Sequence, residues 1–297
     1  GKSMTKIFIG PMSKNIVDAV CEFSKESDVP LALIPSRRQI EYDGGYVNKW
    51  TTAEFGAYVK SKTDKVILQR DHGGILQGKS PDDGIKSLIA DCKSNFDLIH
   101  IDPWKKFKSV DTASEETSKN IKLCLGLNPD LKFEIGTESA IRNYTPEEFQ
   151  NFINLVKKSL GDQFTSVKYG VIQGGTSIVG NRNTGQFNYE KCKKMIEICE
   201  NHGILSKEHN GDYLSKEEIN KRFKCGLTSI NIAPEFGYIE TQTILREIFK
   251  NLDFESYHSF YETCYNSNKW KKWLPEDLSM YPEDFLKRLI IDVSGHY

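Results

Sequence analysis

Apolar residues along this chain follow two rhythms. Short runs rich in Ile, Val, Leu and Phe recur at 6–10, 30–35, 65–69, 98–102, 132–136, 167–173, 203–207 and 229–233. Each has the length of a strand and is bounded by glycine, proline or polar residues. Between them, at 15–25, 52–60, 83–94, 115–125, 146–159, 189–201, 216–223 and 240–250, the pattern takes the spacing of one helix face. Several of these segments open on capping signals such as Thr145-Pro146-Glu147-Glu148 and Ser215-Lys216-Glu217-Glu218, in which a hydroxyl satisfies first-turn amides. Eight strand-then-helix units within about 250 residues predict a (β/α)8 barrel of the TIM type, here over 4–250. An open doubly wound sheet would want a glycine-rich first turn, which Gly10-Pro11-Met12-Ser13 is not. From 251 the chain turns aromatic and charged, with Trp270, Trp273 and Tyr281, and predicts a helical C-terminal extension over 251–297 packed on the barrel. Gly1 to Ser3 read as a cloning scar ahead of Met4.

Charge changes the picture by exclusion. Lys and Arg number 40 against 41 Asp and Glu, for a formal net charge of -1, so no broad positive field is available for nucleic acid or an anionic membrane. Any anion site must be local. No apolar run approaches the roughly 20 residues that cross a bilayer and no signal-peptide core opens the chain, so a cytoplasmic protein is expected. The seven cysteines are scattered and form no C-x-x-C pair, which predicts reduced, structural thiols.

In such barrels the chemistry sits at the C-terminal strand ends, where loops converge over a filled interior. Polar residues gather there in strand after strand: Arg37-Arg38-Gln39, Asp71-His72-Gly73-Gly74, His100-Ile101-Asp102, Glu134 and Glu138, Gln173, His209-Asn210-Gly211-Asp212, and Asn231. Two imidazoles at equivalent ends, His72 and His209, with oxygen from Glu134, Glu138 or Gln173, suit Zn²⁺ or a similar divalent ion with an open position. Asp71, beside His72, is the natural proton shuttle if its side chain faces the same cavity; otherwise it caps the next turn. The two glycines that follow let the backbone turn sharply. His100 and Asp102 share one face of the fourth strand, where a buried, hydrogen-bonded imidazole fits as well as a functional one. Gln39, Asn210, Asp212 and Asn231 complete the rim as candidate substrate contacts. Of Arg37 and Arg38, at most one enters the cavity, since consecutive strand residues face opposite sides; Arg37 is the candidate clamp for a phosphate or carboxylate. Lys105-Lys106 reads equally as an anion contact or a solvated face.

Taken in order, several of these stretches resemble the tagatose-bisphosphate aldolase accessory (Z) subunit family, relatives of the class II, metal-dependent sugar-phosphate aldolases. The residues that carry the resemblance are Gln39 with Gly44-Gly45-Tyr46, Asp71-His72-Gly73, Ile135-Gly136-Thr137-Glu138, Val171-Ile172-Gln173, Glu208-His209 with Asp212-Tyr213, and Ala233-Pro234. It implies a TIM barrel, a phosphorylated ketose or aldose as ligand, Asp71 as proton shuttle, His72 and His209 as metal ligands, and Glu138 as a cavity-lining group, which for aldol cleavage can exchange the proton in place of Asp71. It also implies Gln173 as a cavity-lining group and Glu134 as the carboxylate of the class II Glu-Leu-Gly run. The better-known class II enzymes carry a third histidine at the sixth strand, where this chain has Gln173. The implied cofactor is Zn²⁺, with Mn²⁺ or Mg²⁺ as alternatives. The implied activity is aldol cleavage of a ketose phosphate through an enediolate. C4 epimerisation of such a sugar, or a non-catalytic role beside a separate class II aldolase chain, are the alternatives. Homo-oligomerisation is compatible with all three.

Overall fold

A computed structural model describes residues 4–274 and 288–297; Tyr281 lies outside them. The barrel strands are β1 (Ile7–Ile9), β2 (Ala32–Leu33), β3 (Ile67–Gly73), β4 (Leu98–Ile101), β5 (Lys132–Ile135), β6 (Val167–Ile172), β9 (Leu205–Glu208) and β10 (Ser229–Ile232). They close in the order β1-β10-β9-β6-β5-β4-β3-β2, and their pairs are parallel. This is the predicted (β/α)8 barrel. A short antiparallel hairpin, β7 (Ile178–Val179) with β8 (Arg182–Asn183), occupies the loop after β6. The helices are α1 (Lys14–Glu26), α2 (Thr52–Lys62), α3 (Ile85–Cys92), α4 (Val110–Leu127), α5 (Pro146–Leu160), α6 (Tyr189–Asn201), α7 (Lys216–Lys224), α8 (Pro234–Lys250) and α9 (Phe254–Ser267). The predicted hydroxyl caps form at Thr145 and Ser215. α8 begins at Pro234 rather than at 240, because proline, with its preset φ and no N–H to satisfy, suits the first helical position directly after a strand. No helix among the described residues is long and apolar enough to cross a membrane.

Strand alternation divides each strand between barrel interior and helix layer. Outward residues such as Ile99, Ile101, Phe133 and Ile135 pack with Phe149, Phe152 and Ile121 from the helices. Inward, the interior holds Phe8, Ala32, Ile34, Leu98 and Tyr169, and above them the lining turns polar. Gln69, Glu134 and Lys207 meet there with no solvent exposure to speak of. Between β3 and α3, the Arg70 guanidinium grips both Asp91 oxygens at 2.9–3.1 Å and also donates to the carbonyls of Pro35 and Ile40. The cysteines form no disulfide, and all but Cys225 are buried.

The C-terminal residues pack on α8 through Leu245, Cys264, Leu274, Leu289, Ile290 and Val293. Two glycines permit this crossing: a Cβ on Gly237 would stand 1.7 Å from the Gly295 carbonyl oxygen, and one on Gly295 2.1 Å from that of Gly237. Contact this close returns the chain end to the barrel mouth, where His296 bonds Tyr213 across 2.5 Å.

The buried Arg70–Asp91 pair generates the first prediction. Asp91→Leu leaves a guanidinium without its counter-charge and is expected to cost about 3–5 kcal/mol of unfolding free energy, part of which the double change Arg70→Met/Asp91→Leu restores. Urea denaturation of the three proteins checks this; equal loss in single and double variants would show that uncompensated charge is not the cause.

Candidate active site

The site begins with an irregularity in β3. In a regular strand Asp71 and His72 would face opposite sides. Here the register against β4 shifts between Arg70 and Gly73, and His72 adopts the left-handed region at φ 46°, a conformation that costs a side-chain-bearing residue about 1–2 kcal/mol. The alternation breaks, so Asp71 and His72 both line one cavity of about 470 Å³ at the C-terminal end of the barrel. Gly74 follows at φ 116°, making the sharp turn read from the sequence.

Three imidazoles converge at this point. The ring centroids of His72, His100 and His209 lie 4.9, 5.0 and 5.2 Å apart in pairs. Each ring spends one nitrogen outward. His72 Nδ1 meets Asp102 Oδ2 at 2.7 Å, His209 Nε2 meets Glu134 Oε1 at 2.6 Å, and His100 Nε2 meets the Gly136 carbonyl at 2.8 Å. Those acceptors hold a proton on the outward nitrogen. His100 Nδ1 accepts the His72 amide at 3.3 Å, while His72 and His209, once neutral, turn their other lone pair to the centre. There His72 Nε2 and His209 Nδ1 stand 3.8 and 3.6 Å from Glu138 Oε2. Asp71 Oδ1 lies 3.7 Å from His72 Nε2 and 3.8 Å from His100 Nδ1.

Beneath the rings the outer partners are themselves held. Asp102 also accepts from Thr137 Oγ1 and the Trp104 amide. Glu134 Oε2 receives Lys207 Nζ and Gln69 Nε2, each at 2.6 Å, and Lys207 also bonds Gln69 Oε1. Lys207 sits 3.4 Å above the Phe8 ring, a cation over an aromatic face in the barrel interior.

Electrostatically the cluster asks for positive charge. Asp71, Asp102, Glu134 and Glu138 surround the rings, and Lys207 is the ammonium bonded to Glu134. Burial opposes ionisation of all four carboxyls, yet neighbouring imidazoles and Lys207 hold each below the ordinary carboxylate range. Burial likewise opposes charge on the rings, but the surrounding carboxylates prevail, chiefly Asp71 at His72 and Glu134 at His209. His72 is pushed up to about 9 and His209 to about 10. One donor atom each from Asp71, His72, His100 and His209 lie within 4.8 Å of one another. Three imidazoles whose far nitrogens are already hydrogen-bonded, with the Asp71 carboxylate beside them, form a group that fits a divalent cation of the Zn²⁺ type.

The structure redistributes the sequence candidates. Arg37, Asp71, His72, Glu138, His209, Asn210, Asp212 and Asn231 come together at the cavity; Asn210 donates to Glu138 at 2.7 Å and Asn231 Oδ1 is buried without a partner. Glu134 is a correction: both its oxygens are engaged by Gln69, Lys207 and His209, behind the ring it was expected to join as a ligand. Gln173 is another, since its amide is used up by the Tyr144 N–H and the carbonyls of Thr137 and Arg142. The third imidazole comes instead from β4, as His100, the residue left open between a structural and a functional role. Arg37 is buried and bound to Glu41, Asp82 and the Gly74 carbonyl, so Arg38 is the exposed arginine of the pair at the cavity. Gln39 braces its own loop through the Ser36 amide. Asp102 is occupied behind His72, and Asp212 accepts from Ala233 and Glu235 at the start of α8.

One further spacing has no counterpart in the fold. Gly73 to Ser80 fits G-x-x-x-x-G-K-S, the pattern of a nucleotide-phosphate loop, which requires a helix starting at its lysine. Here α3 starts only at Ile85, and Lys79 turns to Asp43 and the Gly44 carbonyl.

With His72 and His209 both raised above neutrality, each must lose a proton to bind a metal. Zn²⁺ titrated into metal-free protein at pH 7 is expected to release about two protons per ion, read by calorimetry in buffers of different ionisation enthalpy. Binding with no net release would contradict the charge state described.

No family description and no characterised protein sequence matches the chain. Solved structures do. A probable tagatose 6 phosphate kinase from Sinorhizobium meliloti is similar with a TM-score of 0.75 at 18% identity, covering 96% of this chain and 80% of the other. A fructose-bisphosphate aldolase from Campylobacter jejuni gives 0.61 at 14%, over 97% and 87%, and an aldolase from Escherichia coli K12 gives 0.60 at 12%, over 97% and 88%. At such identities the likeness is one of fold, and the barrel architecture is what this chain shares with them.

Proposed function

We propose that this chain is a metal-dependent aldolase acting on a phosphorylated ketose. The observation that carries the reading is the shared cavity: the break at His72 puts a carboxylate, Asp71, beside the inward nitrogens of His72 and His209, with the His100 ring directly behind them. Two of the three structures described above bear aldolase names, which supports the reading at the level of the barrel. Nucleotide-dependent phosphoryl transfer, the activity named for the third, lacks support because the lysine of the one matching loop is turned away from any helix N-terminus.

His72, His100 and His209 would hold the cation, with Zn²⁺ favoured by the donors and Mn²⁺ or Mg²⁺ as alternatives. Once bound, it supplies the positive charge that polarises a ketone carbonyl and offsets charge growing on its oxygen. The rest belongs to the side chains. Asp71 takes the proton of the hydroxyl next to the bond that breaks, the C–C electron pair passes toward the carbonyl, and an aldehyde leaves. Glu138, tied to Asn210, orients the substrate hydroxyls, and Asp71 returns the proton it took to the carbon that keeps the electrons. Asp102 and Glu134 keep the imidazoles in the required tautomers, and Lys207 keeps Glu134 ionised.

Incubated with Zn²⁺ or Mn²⁺ and ketose mono- or bisphosphates, the protein is expected to form triose phosphate. His209→Ala should abolish that metal-dependent turnover. Asp71→Asn should lower kcat on the order of 10²–10⁴-fold while leaving Zn²⁺ content near that of the parent. An inverted ketose without fragments would make the enzyme an epimerase, and activity only beside a second aldolase chain would make it an accessory subunit.

A further inference from the structure

The hairpin β7–β8 stands outside the barrel sheet, and the cavity at the imidazoles is lined without it. The sequence marks this stretch only by turn formers such as Asn183-Thr184-Gly185. Two side chains of the loop nevertheless reach across to the segment that follows β9. Thr176 Oγ1 donates to the His209 carbonyl at 2.8 Å, and Asn183 Nδ2 donates to the carbonyls of Asn210 and Asp212, each at 2.9 Å. The oxygen of the same Asn183 amide accepts the Ser177 and Gly185 N–H groups, both at 3.2 Å. Asn183 therefore spends its two donors on the β9 loop and its acceptor on folding its own hairpin.

That loop needs holding. The ladder of β9 with β6 ends at Glu208, so the carbonyls beyond it must find other donors. Asn210 and Tyr213 both take the left-handed region, at φ 56° and 63°, and for a residue as bulky as Tyr213 this is strain that persists only where the surroundings fix it. The same loop carries the His209 ring and the Asn210 amide that donates to Glu138 Oε2 at 2.7 Å. We infer that Asn183, with Thr176 beside it, is a positioning residue: it fixes the backbone from His209 to Asp212 and, through Asn210, the Glu138 carboxylate. A side chain outside the cavity thus sets where an imidazole and a carboxylate stand within it. The inference rests on the aldolase reading only for the reaction this alignment serves; the alignment itself does not require it.

Asn183→Asp separates the two tasks of the side chain. A carboxylate still accepts the Ser177 and Gly185 amides, but it has no donor for the two carbonyls and faces them with negative charge. The full-length protein is compared with this variant and with Asn183→Ala, Thr176→Val and Thr176→Ser. Amide exchange in peptides covering 209–214 is expected to quicken in Asn183→Asp, Asn183→Ala and Thr176→Val. Zn²⁺ affinity, read by calorimetry, is expected to weaken about tenfold in the same three, as loss of the support behind a ligand does. Thr176→Ser, which keeps the hydroxyl, should match the parent in both. So should Thr184→Val, whose lost hydroxyl faces only the Ser177 carbonyl inside the hairpin. With Zn²⁺ saturating and a ketose phosphate as substrate, kcat in Asn183→Asp should fall about tenfold. Parent-like exchange at 209–214 and parent-like Zn²⁺ affinity in Asn183→Asp and Thr176→Val would overturn the inference. Exchange that quickens equally throughout the barrel would overturn it too, since it would make Asn183 a general stabilising residue. A parent without cleavage activity whose variants still show the local changes would sink the aldolase reading and leave the clamp standing.

Discussion

The site depends on a strand that stops alternating. β3 delivers Gln69 inward and Arg70 outward as its pleat requires, then inserts a left-handed residue at His72, so that Asp71 and the His72 ring face the same space. Without that break the acid and the imidazole would lie on opposite faces of the sheet. A backbone distortion costing on the order of 1–2 kcal/mol is small beside the stabilisation available from a packed barrel of this size. It is held in place by the ring contact to Asp102 on one side and the amide contact to His100 Nδ1 on the other.

The second constraint is how charge is carried into the barrel. A lone carboxylate or ammonium under the imidazoles would be strongly disfavoured by desolvation, and the structure avoids this by satisfying them jointly. Lys207, Glu134 and Gln69 close a ring of short hydrogen bonds, with the Phe8 face below the ammonium. Because Lys207 lies on β9 and His209 directly follows that strand, one segment supplies both the buried counter-charge and a ring of the site. Satisfaction below is what allows the carboxylates to remain ionised and the rings to keep a defined tautomer.

The third element is the return of the chain end. The Gly237–Gly295 crossing brings backbone against backbone, and the apolar residues of α8 and the C-terminal segment pack around it. The mouth of the barrel is therefore built partly from residues that a barrel alone would not contain, among them Lys272, Trp273 and His296.

The barrel was legible in the sequence because its cause is local and repeated: each run of β-forming residues must bury itself, each amphipathic helix must cover a strand, and eight such units in order leave few alternatives. Alternation within the fourth strand also placed His100 with Asp102 on a common face; Lys207, beneath His209, went unnoticed in the sequence. What the sequence could not rank was function among those faces. Gln173 and Glu134 stand at strand ends as a ligand should, yet neighbouring amides, carbonyls and Lys207 consume them, and those partners come from other strands. His100 rose to the centre, exposed Arg38 joined buried Arg37 at the cavity, and a lysine from the tail lines the same cavity as a loop more than two hundred residues earlier. Residue types and their periods are properties of neighbours along the chain and are read there. Which lone pair is free, which charge is already neutralised and where a strand breaks its pleat are settled only when distant segments compete for the same atoms.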